Sequence, residues 1–363
     1  IDDVEHRQTH EENMVAGLKI LSESGVTALY DAGNFGFEDL VYEFMSGLES
    51  EGRLPIRYEG TYQVFTPERR HLAISEMKRF RQEYGGDRLK FNTVKLFMDG
   101  IYQNRSSALL EPYVDDPSYV GDTILSVEEL RQFLLELSAE RFDIHIHAMG
   151  DLAVRRVLDA VEAAQGMVGD DFYTRVTMSH LGLIEPTDLP RFKELGIIAN
   201  YTPWWFNADE NNPERISLGE ERFGRMFDLK TLFDLGTDVT LSSDEWWGGD
   251  LLPTYLNPYF GMQIGHTRQY PREWREGEEM VRPPLDGQLS IEQIIIGYTQ
   301  NGARQIRMEN EIGSIEKGKL ADLIVLDRNL FDIDSDTIWK TKPEAVLMEG
   351  EVIQGVLPSE FQQ

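Results

Sequence analysis

Apolar runs of strand length alternate along this chain with stretches whose apolar residues recur every three or four positions. The runs are GVTALYDAG (25–33), PIRYEGTYQV (55–64), FNTVKLFMDG (91–100), FDIHIHAM (142–149), RVTMSHLG (175–182), GIIANYTP (196–203) and DVTLSSDE (238–245). Among the intervening stretches, EENMVAGLKILSES puts Met14, Leu18 and Leu21 on one helical face, and VEELRQFLLELSAE and LAVRRVLDAVEAA repeat the pattern. TDLPRFKELG stops at Gly196, a residue type that ends helices. Alternating strand and helix predicts parallel strands joined by crossover helices. Seven such units are one short of a (β/α)8 TIM barrel. The chain opens as a helix feeding the 25–33 strand, so the expectation is a barrel whose first strand lies before Ile1.

Two stretches leave the alternation. Residues 246–290, rich in Trp and Pro and containing HTRQYPREWREGEE, read as a long strand-to-helix loop, the place where barrels build substrate pockets. After about residue 311, GSIEKGKLADLIVLD and PEAVLMEGEVIQG read as short strands with Gly turns and no helix between them. The expected organisation is therefore a barrel over residues 1–310, carrying strands two to eight, and part of a small β-sandwich domain over 311–363.

Charge narrows the partners. With 64 acidic against 35 basic residues, the net charge of −29 argues against nucleic acid or an anionic membrane, since both recruit a basic surface. A small-molecule substrate is the expected partner, with a homodimer left open. No apolar run approaches bilayer-spanning length. The absence of cysteine rules out disulfides, thiolate metal sites and cysteine nucleophiles. Any metal must be held by histidine, carboxylate or a modified side chain.

Four polar residues sit near the carboxyl ends of predicted strands: Lys95 in NTVKLFMDG, His147 in HIHAMGD, His180 in TMSHLG and Asp244 in LSSDEWW. Strand ends on one barrel face converge, so residues far apart in sequence can share a site there. Two neutral imidazoles and a carboxylate are a usual hydrolytic metal set. A lone strand-end histidine is more often a rim residue. A lysine in an otherwise apolar strand is harder to place, because burying an unpaired ammonium is costly. His145 lies two residues deeper than His147 on the same strand face. It is expected to support the set, as are Asp99 and Asp151, rather than to join it. His6 and His10, spaced i, i+4 in polar EHRQTHEEN, read as surface helix residues.

The sequence resembles the amidohydrolase superfamily of metal-dependent hydrolases, in the branch containing N-substituted formamide deformylases. The matching stretches are VKLFMDGIYQNRSSALLEPY, HIHAMGDLAVRRVLDAVEAA, SHLGLIEPTDLPRFKELGIIANYTPWW, LSSDEWW and GYTQNGARQIRMENEIGSIEKGKLADLIVLD. The resemblance implies one or two divalent metal ions, Zn2+ first, held by Lys95, His147, His180 and Asp244, with Lys95 carboxylated by CO2 in a binuclear site. It implies that Asp244 takes a proton from the attacking water and passes it to the leaving amine, so that a C–N bond of an amide, formamide or cyclic amide is cleaved. The family's first-strand His-x-His pair has no counterpart before residue 25. Where many relatives carry a small residue and Pro after the aspartate, this chain has Glu245-Trp246-Trp247.

Tyr102, Trp204, Trp205, Trp246 and Trp247 all fall within a few residues of strand ends, and an aromatic lining suits an apolar group on the substrate. Packing beneath long loops is the competing reading. Arg105 could orient a carbonyl or carboxylate, or simply pair with an acidic neighbour. Three functions stay open: hydrolysis of a C–N bond, the same metal chemistry on an ester, phosphoester or deamination substrate, and a non-catalytic barrel that binds or regulates.

Overall fold

Parallel pairing in chain order dominates the structure, a computed structural model that describes residues 4–206, 212–245, 251–275 and 281–357, with side chains from residue 9. Helix α1 (Val4–Glu23) leads into β1 (Ala28–Tyr30) and α2 (Glu38–Ser50) follows it. The next run is split into β2 (Arg57–Glu59) and β3 (Gln63–Val64), with α3 (Ala73–Glu83) after it. A second split run holds β4 (Leu89–Lys90) and β5 (Thr93–Phe97). Then come α4 (Val127–Ala139), β6 (Asp143–Ala148), α5 (Asp151–Val168), β7 (Val176–His180), α6 (Leu189–Glu194) and β8 (Ile198–Tyr201). The barrel continues through α7 (Pro213–Gly224) and α8 (Leu229–Asp234) to β9 (Val239–Leu241).

The lower sheet order is β1-β2-β4 and the upper one β3-β5-β6-β7-β8-β9. Because β2 and β3 belong to one run, as do β4 and β5, together they make seven parallel staves in sequence order, the TIM-barrel arrangement. Every pairing among them is parallel. The predicted helical faces are the buried ones: Met14, Leu18 and Leu21 of α1, and Ala153, Val154, Val157, Leu158, Val161 and Ala164 of α5, are all buried. Helix α4 begins with a capping box in which Ser126 and Glu129 satisfy each other's backbone N–H groups. His6 and His10 both fall in α1.

The stretch after β9 differs from the expected loop. It holds α9 (Leu252–Tyr255) and α10 (Pro258–Thr267) before α11 (Ile291–Tyr298) and α12 (Gln300–Gln305). Pro258 sits at the first turn of α10, and Asn257 caps it by accepting the Tyr259 N–H at 3.0 Å. Cap and proline start a helix in a segment whose apolar residues, Tyr259, Phe260 and Ile264, are then buried. The tail forms β10 (Leu323–Leu326), β11 (Pro343–Met348) and β12 (Glu351–Gly355), an antiparallel sheet. Arg57 at the start of β2 ties this sheet to the barrel, binding Asp322 and, at 2.8 Å, Glu349. Among the described residues no helix is long and apolar enough to cross a membrane.

Candidate metal centre

Register and pleat bring the polar residues together. Lys95 pairs with His145, Phe97 with His147, and His147 with Ser179. Paired residues of a parallel sheet point the same way, so these side chains share the barrel interior. Lys95 Nζ lies 3.1 Å from His145 Nδ1 and donates to Ser179 Oγ at 3.2 Å. His145 also lies against the Tyr30 ring, with centroids 4.8 Å apart.

His180 has the wrong parity for that interior, being one residue beyond Ser179. It enters by leaving the extended conformation: His180 and the next residue, Leu181, have φ of +73° and +48°. Asp244, three residues past β9, has φ of +46°. Left-handed backbone is uncommon in residues other than glycine and is characteristic of functional sites. The two turns bring His180 Nδ1 to 3.8 Å from Asp244 Oδ2, and the His147 and His180 rings to 4.5 Å between centroids. His147 is stacked on Phe97 at 5.0 Å, and His180 is stacked nearly parallel on Trp205, 4.8 Å away with 7° between planes.

The electrostatics follow from burial. His145, His147 and His180 are all pushed below the usual imidazole range, chiefly by desolvation, and His147 falls to about 3. All three are therefore neutral, the form that ligates metal. His147 Nε2–H donates to the Gly100 carbonyl at 3.0 Å, which fixes its tautomer and leaves the Nδ1 lone pair. Burial lowers the Lys95 ammonium to about 8, while Asp244 draws it upward. Burial raises Asp244 to about 6, Lys95 pulling it down and Glu245 pushing it up.

The donor chemistry fits a divalent cation. His180 Nδ1 is buried and bonds to nothing, an expensive condition for a polar atom that a ligand would relieve. The Asp244 carboxylate beside it is 29% exposed, at the mouth of the barrel. The count is smaller than a full coordination sphere: among the described residues, no three His, Asp or Glu side chains form a group disposed to hold a metal.

The remaining expected residues divide. Asp99 lies 3.7 Å from His147 Nε2 and accepts the N–H groups of Ala108, Met149 and Gly150, each at 2.9 Å. Burial nevertheless raises its carboxyl to about 7. Gly150 permits this knot, since a Cβ there would stand 2.0 Å from the Ala108 carbonyl oxygen. Asp151 accepts the Leu110 N–H at 2.9 Å and so pins the same loop rather than an imidazole. Trp204 stacks on Tyr255 at 4.4 Å and stands edge-on to Trp205.

Two expected substrate contacts are displaced. Tyr102 is fully buried, its hydroxyl donating to the Met149 carbonyl, because the ring fills the space beside Gly182. Arg105 is exposed and donates to Asp115 at 2.8 Å, on the edge of an open polar cleft of about 370 Å³ lined also by Gln103, Asn104 and Ser217. Its left-handed backbone, φ +56°, caps a short turn and directs it there. Trp246 and Trp247 lie outside the described residues. Ser179 and Phe97 join the cluster without having been expected there. For Phe97 a signal existed, because it stands two residues beyond Lys95 on the same strand face.

A parallel barrel with an imidazole, carboxylate and amine cluster at its strand ends is the class of protein that fold and site define. The amidohydrolase family model matches residues 5–354, and the chain belongs to that family. It is 29% identical over 248 residues to the N-substituted formamide deformylase of Arthrobacter pascens, covering 67% of this chain and 42% of that protein. It is 27% identical over 240 residues to the protein LONG AFTER FAR-RED 3 of Arabidopsis thaliana, covering 66% of this chain and 39% of the plant protein. The chain thus spans less than half the length of these two relatives. Among solved structures, an uncharacterized metal-dependent hydrolase from Pyrococcus furiosus shares the fold with a TM-score of 0.68 at 23% identity, over 89% of this chain and 61% of that one.

Proposed function

We propose that this chain carries the catalytic side of a metal-dependent hydrolase that cleaves the C–N bond of an amide, formamide or cyclic amide-like small molecule. The observation that carries the reading is the pairing of His180 Nδ1, buried and unbonded, with Asp244 Oδ2 at 3.8 Å. His147, His180, Asp244 and Lys95 are the residues that would hold a divalent cation. When bound, such a cation lowers the pKa of a coordinated water to about 7 and polarises the scissile carbonyl.

The chain's own residues account for the rest. Asp244 titrates near 6, close enough to neutrality to accept a proton from water at Oδ2 and return it to a leaving amine. The neutral imidazoles leave the site's negative charge to Asp244. Lys95, lowered toward 8, is the amine most able to shed its proton and accept CO2. The Trp205 and Phe97 rings flank His180 and His147 and exclude water from their outer faces. Membership of the amidohydrolase family and similarity to a formamide deformylase support a C–N bond as the target.

Elemental analysis of the purified protein tests the metal. A divalent ion retained by the wild type and lost from His147→Ala and His180→Ala is the expected result, and a protein that takes up no metal overturns the reading. A turnover screen across N-formyl, N-acyl, ester and phosphoester substrates tests the bond. Activity confined to esters or phosphoesters transfers the same residues to another substrate class.

A further inference from the structure

The turn after β1 is built to hold an aromatic ring beside this site. Phe35 is 63% exposed and has φ of +48°, a conformation that a bulky side chain adopts only when its surroundings impose it. Three hydrogen bonds impose it. Asp31 accepts the Gly33 N–H at 2.9 Å and the Asn34 amide at 2.6 Å, and Gln63 Oε1 accepts the Phe35 N–H at 2.7 Å. Gln63 is itself buried at 1% exposure. Gly33, at φ +120°, gives it room, since a Cβ there would stand 2.5 Å from the Gln63 carboxamide carbon. All this order presents most of a phenyl ring to solvent.

The ring has company. Phe35 lies 6.0 Å from Phe97 and 6.3 Å from Phe65, centroid to centroid, and Phe97 is the ring stacked on His147. Rings therefore follow one another from Phe65 through Phe35 and Phe97 to His147, His180 and Trp205. The cation nearest the outer end is spoken for: Arg69 lies over the Phe65 ring at 4.6 Å while paired with Glu38 at 2.6 Å. The outer wall thus offers apolar faces, and at its inner end the Lys95 amine lies 5.1 Å over the Phe97 ring.

We infer that Phe35, backed by Phe65 and Phe97, is a specificity-determining residue that selects a ring-sized apolar group on the substrate. The inference rests on the hydrolase reading for where the substrate lies. Its test is equilibrium binding of phenylacetamide against acetamide, followed by calorimetry on the purified protein. The wild type is expected to favour phenylacetamide by about tenfold or more, the scale of one well-placed aromatic contact. Phe35→Asn, which tolerates the left-handed backbone, should reduce that preference by roughly three- to tenfold, and Phe35→Tyr should keep it. Phe65→Ser, altering the ring behind without touching the turn, should reduce it as well. A wild type without the preference, or a preference unchanged in both Phe35→Asn and Phe65→Ser, overturns the inference. Binding is read on chelator-treated protein, where metal-dependent turnover is off, so the two readings fail separately. A preference with no C–N hydrolysis removes only the hydrolase, and hydrolysis with no preference removes only the wall.

Discussion

The two ends of the barrel treat buried charge in opposite ways. At the amino-terminal end, Asp143 opens β6 and is held by Arg307 through two bonds of 2.6 and 2.7 Å and by the Arg175 N–H at 2.8 Å. Arg307 in turn lies 4.0 Å over the Tyr173 ring. At the carboxyl-terminal end, Lys95 has only a neutral imidazole and a hydroxyl within bonding distance, and His180 Nδ1 has no bond at all. The strands are the same seven, so the contrast reflects use rather than fold. One end commits its polar groups to stability, and the other leaves them short of partners, as a ligand-binding face must.

Activity should break furthest at the upper end. Asp244→Asn keeps the shape but removes the proton acceptor, and kcat should fall by about 10³-fold, within the range for losing a general base. Its chemical-denaturation midpoint at neutral pH should not fall below that of the wild type, because burial raises the Asp244 carboxyl to about 6 and disfavours its ionised form in the fold. The lower end should show the reverse. Arg307→Ala strips Asp143, whose side chain is 4% exposed, of its counterion. A stability loss of roughly 2–4 kcal/mol is expected, with kcat of the folded fraction within about twofold of wild type. Equal damage to stability and turnover by both variants would erase the distinction between the ends.

Much of the upper end is legible in the sequence, and the reason is chemical. Lys95 stands out in NTVKLFMDG because an ammonium has no bland place in a buried strand, and it is 2% exposed. His147 follows from strand alternation, which puts it on the face of His145. The positions of His180 and Asp244 do not follow that way. Alternation sends His180 to the outside, and only its left-handed turn, set by tertiary contacts, returns it. Tyr102 misleads for a related reason: proximity to a strand end in sequence says nothing about which way a loop folds its ring, and here the ring points into the core. Helix α10 is hidden because its cap and proline lie in a segment dense with turn formers. Phe35 carries no sequence signal, since its value lies in a backbone angle.

Glu59 sharpens the comparison from within the lower end. It accepts the Asn92 backbone N–H and, at 3.1 Å, the Asn92 side-chain amide. Burial still outweighs those bonds, and Asp143 adds repulsion, so the carboxyl rises from 4.5 to about 7. A folded-state pKa above the unfolded one means that the native protein holds the extra proton. Its stability contribution is complete below about pH 4.5 and is lost as pH rises through about 7. The loss should amount to about 2–3 kcal/mol. Glu59→Gln should therefore gain on the wild type in denaturation midpoint between pH 5 and pH 8. A gap that stays flat across that range would mean the two Asn92 bonds dominate after all.

Lys95→Met asks how much stability the upper end gives up. The amine is buried with no carboxylate in bonding distance, and methionine nearly matches its volume while removing the charge. Ser179 Oγ keeps a second partner in the Ile146 carbonyl at 3.3 Å, so only His145 Nδ1 is left unbonded. Desolvation of an ammonium exceeds the value of one hydrogen bond to a neutral imidazole. Chelator-treated Lys95→Met protein should thus be more stable than chelator-treated wild type by about 1 kcal/mol, in urea unfolding at neutral pH. A destabilised variant would show that Lys95 is structural, and the upper end would then resemble the lower one.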